Sequence, residues 1–146
     1  MDRIINNELV LGCAVLLQIE NKDVALERLV ISSVLLTDDS IRKSLSGSKS
    51  MMDFLGQKSR HLLVNKKFTM TLPIFVNSVV LLLQLGMVVR KGGKMCISDK
   101  GKAFLEMCRT SSQGRLADIF DKASIILCLI ETFKTAELYN KLNVML

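Results

Sequence analysis

The chain has 146 residues, enough for one domain with a real core, and 49% are apolar although only 5% are aromatic. The excess in Leu, Val, Ile and Met suits interdigitating helices and suggests some apolar surface for a partner to cover. The formal charge of +6 is polarised: −4 over residues 1–41, +6 over 42–67, none over 68–83, +5 over 84–115 and −1 over 116–146. Two basic blocks between acidic or neutral ends are the electrostatic footprint expected of a nucleic-acid face, or of a solvated one.

Asn6 or Asn7 can cap a first helix over 8–19, with Leu9, Val10, Cys13, Leu16 and Leu17 near a 3.6-residue repeat. A second helix is expected over 24–36; its β-branched Val30, Ile31 and Val34 also suit a strand, but its length and Glu27-Arg28 favour helix. Asp38-Asp39 caps a short basic helix ending at Leu45. Ser46-Gly47-Ser48 is the clearest loop. Ser50 with Asp53 is a capping-box-like start for a helix over 51–64, ended by Asn65-Lys66-Lys67. Its exposed side is expected to carry Lys58, Arg60 and His61. Residues 68–72 read as a connector or short strand, with Phe68, Met70 and Leu72 alternating.

Pro73 suits the first position of the next helix, where its missing N–H is unpaired anyway. That helix, over 74–85, offers only Asn77, Ser78 and Gln84 as polar groups and reads as buried from most sides. Gly86 stops it. Residues 87–89 and 95–97 read as two strands joined by the tight turn of Lys91-Gly92-Gly93-Lys94. Ser98 caps a helix over 99–108. Helix, strand, Gly-Gly turn, strand, helix, with lysines at the tip, is the pattern of a winged-helix module. The expected fold is mainly α with a small two-stranded wing at 87–97, a single winged-helix-like domain over 1–146. Beyond the polar loop at 110–114, helices are expected over 115–133 and 136–142, before an apolar end, Asn143-Val144-Met145-Leu146.

No catalytic set is visible, and no enzyme is expected. His61 stands among basic residues with no carboxylate close in sequence, and Cys96 and Cys108 have no local base. The glycines form no phosphate loop, and the carboxylates at 38, 39, 118 and 121 read as helix N-terminal charges. Four cysteines without a CxxC pair, and one histidine, argue against zinc. No metal or cofactor is expected. The polar start lacks a secretory pattern, and the apolar run over 79–89 is about half the ~20 residues a membrane span needs. A cytoplasmic chain with reduced thiols and no membrane association is expected.

Lysines and arginines on the wing and beside it can displace counterions from duplex DNA. The expected contacts are Lys58, Arg60, Lys66 and Lys67 from the first basic block, and Arg90, Lys91, Lys94, Lys100 and Lys102 from the second. The helix before the wing is too apolar to read base edges, so binding without sequence preference is expected. The C-terminal helices, 115–146, are expected to supply a partner interface through Leu138, Tyr139, Leu142, Val144, Met145 and Leu146.

The segments Asn77-Ser78, Leu82-Leu83-Gln84-Leu85-Gly86 and Ile97-Ser98-Asp99-Lys100-Gly101, with the later Leu138-Tyr139 and Leu142-Asn143-Val144, resemble the middle component of ABC-three-component systems. The Lamassu anti-phage and anti-plasmid systems belong to that group. The resemblance implies a small non-enzymatic subunit that joins an SMC/Rad50-like ATPase to an effector, often a nuclease, and helps to sense or hold double-stranded DNA. The alternative from the residues themselves is a homodimeric winged-helix transcriptional regulator, with the terminal helices as its dimer interface.

Overall fold

The computed structural model describes residues 2–56 and 58–144, with side chains over 7–56 and 60–144. Helix α1 (Asp2–Ile19) leads into a two-residue strand, β1 (Val24–Ala25), and then α2 (Leu26–Thr37). From Val10 to Leu16 every residue of α1 is buried, and from Leu29 to Thr37 every residue of α2 is. Helices apolar on all sides belong inside a domain, and these two form its centre. Gln18, buried between them, has its amide satisfied by the Ala14 carbonyl (3.1 Å) and Ser33 Oγ (3.0 Å).

Around this pair lie α3 (Asp39–Ser46), α4 (Met51–Leu55) and the long α5 (Lys58–Gln84). The expected caps form: Asp38 accepts from Ile41 N, and Ser50 accepts from Asp53 N. The Asp53 carboxylate, however, reaches Lys49 N and not Ser50 N.

The sequence pattern divides 51–85 into a helix, a connector and a second helix. The structure instead has one helix from Lys58 to Gln84, with Pro73 inside it. The physical reason is the buried stripe. Val64, Phe68, Phe75, Val79 and Leu82 all enter the core, so the apolar face runs unbroken past the proline. Pro73 itself is exposed, which lets the carbonyl it leaves unbonded face water. Tertiary packing thus overrides both the proline and its effect on the residue before it.

Gly86 (φ 75°) ends α5, with Met87 N bonded to the Leu82 carbonyl at 3.0 Å. Strands β2 (Val88–Lys91) and β3 (Lys94–Ile97) then pair antiparallel through Gly92 and Gly93, both left-handed. The wing is not two-stranded. Strand β1 joins the other edge of β3, Val24 opposite Met95 and Ala25 opposite Lys94, giving the order β1-β3-β2. The third strand thus precedes α2, and 68–72, whose alternation suits a strand, is helical.

Ser98 caps α6 (Asp99–Ser111), accepting from Gly101 N at 3.0 Å and donating to the Gly86 carbonyl at 2.6 Å. Helix α7 (Gly114–Glu131) stops near Arg28, whose guanidinium donates to the carbonyls of Ile130 (2.9 Å) and Phe133 (3.0 Å). Burial lowers the pKa of that guanidinium, and the Glu131 charge opposes the shift. Helix α8 (Thr135–Leu142) ends on left-handed Asn143, and one hydrophobic cluster extends from Leu11 to Val144. The architecture is mainly helical with a small β wing.

Candidate functional site

The cations divide by what surrounds them. Arg42 is buried, with Nε on Asp118 Oδ2 (2.7 Å), Nη1 on the Leu36 carbonyl (2.9 Å) and Nη2 on Asp39. It ties α3 to α7 and cannot track a phosphate backbone. Lys67 pairs with Asp38 (3.3 Å), and Arg60 stacks over the Phe54 ring at 5.9 Å. Lys66 is exposed on α5, while the side chain of Lys58 lies outside the described residues. The first basic block is therefore partly committed to internal structure. Lys66 also lies ~27 Å of helix away from Gln84, where the wing leaves α5. His61, at the same end, donates Nε2–H to the Leu55 carbonyl (2.7 Å) and closes α4.

The second block is different. Arg90, Lys91, Lys94, Lys100 and Lys102 are all exposed, and none forms an ion pair among the described residues. Strand alternation separates them. Arg90 lies opposite Met95 and turns toward the groove beside α5, whereas Lys91 lies opposite Lys94 at the turn. Like charges directly opposite in a sheet destabilise it. Lys100 and Lys102 occupy the first turn of α6, where the helix dipole also disfavours cations; Asp99 is the compensating charge there. Four lysines thus stand where folding alone does not favour them.

The packing corrects the expected C-terminal interface at three of its residues. Leu138, Leu142 and Val144 are buried in this chain's own core. Tyr139 donates its hydroxyl to the Glu27 carbonyl (2.6 Å) and meets Phe68 edge-on at 6.0 Å. Burial, followed by the Glu27 charge, holds that phenol above its usual pKa. The apolar end seen in the sequence thus closes the core, at least through Val144. Met145 and Leu146 lie outside the described residues.

Exposed apolar side chains include Ile125 of α7 and Met107 of α6, and a group of them gathers on α5. Its outward side carries Val76, Val80 and Leu81, with Leu85 just past its end, each 42–49% exposed. The expectation that the helix over 74–85 is buried from most sides is therefore corrected: six of those twelve residues are exposed. The signal for it is the uncharged run from 68 to 89, which holds more apolar residues than one buried face needs. By length and composition Arg60–Gln84 could cross a membrane, and 28% of its most apolar window is buried. Dividing this region into shorter helices hides that length. The helix contains Asn65, Lys66, Lys67, Pro73 and Asn77, and one side of it fills the core, as in a core helix with an open face.

A polar cavity of about 390 Å³ is lined by Asn7, Asp38, Asp39, Ser40, Lys67 and Arg115 among others, but its charges pair with one another. Cys13 and Cys108 adjoin between α1 and α6, and burial, then Cys108, pushes the Cys13 thiol well up. Among the described residues no three metal-ligating side chains cluster. Compared with family models, curated proteins and solved structures, the chain matches none.

Proposed function

We propose that this chain is a non-enzymatic adaptor subunit of a prokaryotic DNA-sensing defence complex. It joins an SMC/Rad50-like ATPase to an effector subunit in the cytoplasm, and its wing and the start of α6 hold duplex DNA by the phosphate backbone. The observation that supports DNA contact is the exposed, unpaired group Lys91, Lys94, Lys100 and Lys102, placed where cations do not help folding. A phosphate near them relieves both the cross-strand repulsion and the opposition of the helix dipole. The ATPase and effector follow from the sequence resemblance alone.

The helix before the wing favours this reading over a sequence-specific regulator. Its exposed stripe presents Val76, Val80, Leu81 and Leu85 with only Asn77 and Gln84 as polar groups. Base edges need a row of hydrogen-bonding side chains, and this stripe supplies only those two amides among apolar residues.

The test is binding of two unrelated duplexes across a salt series, followed by fluorescence anisotropy. Both duplexes are expected to bind alike, with a log–log salt slope of about 3–4 from four phosphate contacts. Changing Lys91, Lys94, Lys100 and Lys102 to Glu is expected to remove that slope and at least ~10-fold of affinity at low salt. Unchanged binding by the quadruple variant refutes the DNA contact. Co-expression with an SMC-like ATPase encoded next to this chain tests the adaptor role. The absence of such a neighbour, or of a stable complex with it, refutes that role.

A further inference from the structure

The open face of α5 is a ridge between two apolar grooves. On the α2 side the groove has a volume of about 320 Å³ and is walled by Leu26, Val30, Leu72, Val79 and Leu83. On the α1 side a groove of about 240 Å³ is walled by Leu9, Leu82, Met87 and Phe104. The open face carries two short i, i+4 rows, Val76 with Val80 beside the α2-side groove and Leu81 with Leu85 beside the α1-side groove, with exposed Asn77 and Gln84 between them; i, i+4 is the spacing that packs into a groove on a facing helix. A ridge beside its own groove is self-complementary: a two-fold axis lets each copy seat its ridge in the other.

Charge points to the same occupant. No charged residue occurs from 68 to 89, so this face offers a charged partner no opposite charge, only the amides of Asn77 and Gln84. The α2-side groove contains one carboxylate, Glu27, and one guanidinium, Arg90. Both are exposed, and neither side chain enters an ion pair among the described residues. A groove with one charge of each sign is neutral and complementary to its own rotated copy. We propose that α5 is a homodimer seam, in which the Val76–Val80 ridge of one copy fills the α2-side groove of the other and each Glu27 faces the other copy's Arg90. This seam does not depend on DNA contact. It also covers the helix that a sequence-reading winged helix would insert into the major groove.

The experiment is sedimentation equilibrium of the full chain between about 10 and 100 µM. Wild type is expected to approach twice the monomer mass. Val80→Asp, at an exposed site, is expected to sediment as a monomer while keeping the wild-type circular dichroism and urea midpoint. Glu27→Arg alone and Arg90→Glu alone are each expected to weaken the dimer by ~10-fold or more, and the double exchange to restore it. A wild-type monomer throughout that range overturns the proposal. So does a dimer that survives Val80→Asp, or a double exchange that fails to recover. Flotation with neutral phosphatidylcholine vesicles separates the other source of burial: a monomer that floats with them makes the α5 face lipid-facing and also overturns the seam.

Discussion

Gly101 offers the sharpest test of how the wing is fixed to the helices. It occupies the first turn of α6, and its backbone conformation is an ordinary one that alanine shares. Helix propensity alone therefore favours Gly101→Ala by about 1 kcal/mol. The packing predicts the opposite sign. A Cβ at this position would overlap the Met87 carbonyl oxygen and approach Ile97 Cγ1 to 2.9 Å. The carbonyl cannot swing away, because it accepts from Ser98 N at 3.0 Å. Relief requires α6 to shift from the base of the wing, disturbing the Ser98 hydroxyl bonds to Gly86 and Gly101 as well. Overpacking of this kind costs about 1–3 kcal/mol, and each weakened hydrogen bond adds about 1. The net expectation, after the propensity gain, is destabilisation by about 2–3 kcal/mol. With a urea m-value of about 1–3 kcal/mol/M, the unfolding midpoint should fall by about 1 M or more at unchanged m. A variant as stable as wild type, or more so, would refute the close approach of α6 to Met87 and, with it, the packing reason for glycine three residues after Ser98.

Two further substitutions have expected outcomes. Arg42→Ala should cost about 2–3 kcal/mol: the usual 3–5 for a broken buried pair is reduced because Asp118 is 37% exposed and keeps Lys122 at 2.8 Å. The Asp118 carboxyl lies below its usual pKa, first through the Lys122 hydrogen bond and then through Arg42. Its contribution is therefore present above about pH 4 and lost as pH falls through the lowered value, so Arg42→Ala should show less acid destabilisation than wild type in urea titrations. Pro73→Ala should stabilise by about 1–3 kcal/mol, because alanine restores the helical hydrogen bond at an exposed site inside α5. No gain in thermal or urea midpoint would mean that the helix is interrupted there.

What the sequence determined by itself were the features governed by a few adjacent residues. Ser98, Ser50 and Asp38 each cap a helix in the structure as in the sequence pattern, because a cap needs only a side-chain oxygen and the amide three residues on. Gly86, Gly92 and Gly93 are left-handed where the chain must stop and turn. The mainly helical fold with a small wing followed from these signals and from apolar periodicity. The exposure of Lys91, Lys94, Lys100 and Lys102 was legible for the same reason, since a turn and a helix start face water.

The tertiary structure decided whatever depends on residues far apart in the chain. Val24 becomes a strand only because Met95 lies beside it, and two residues hold no periodicity from which to read that. Helix α5 passes through Pro73 because burial of Val64, Phe68, Phe75, Val79 and Leu82 outweighs one lost hydrogen bond. Leu138, Leu142 and Val144 look like a free apolar end until α8 is seen closing the core. Conversely, Val76, Val80, Leu81 and Leu85 look like core until α1 and α2 are seen to cover only one side of α5. Apolar side chains report that burial is favourable, but not which surface supplies it. That choice belongs to packing, which buries Leu138, Leu142 and Val144 at the end of the chain and leaves Val76, Val80 and Leu81 open in the last third of its longest helix.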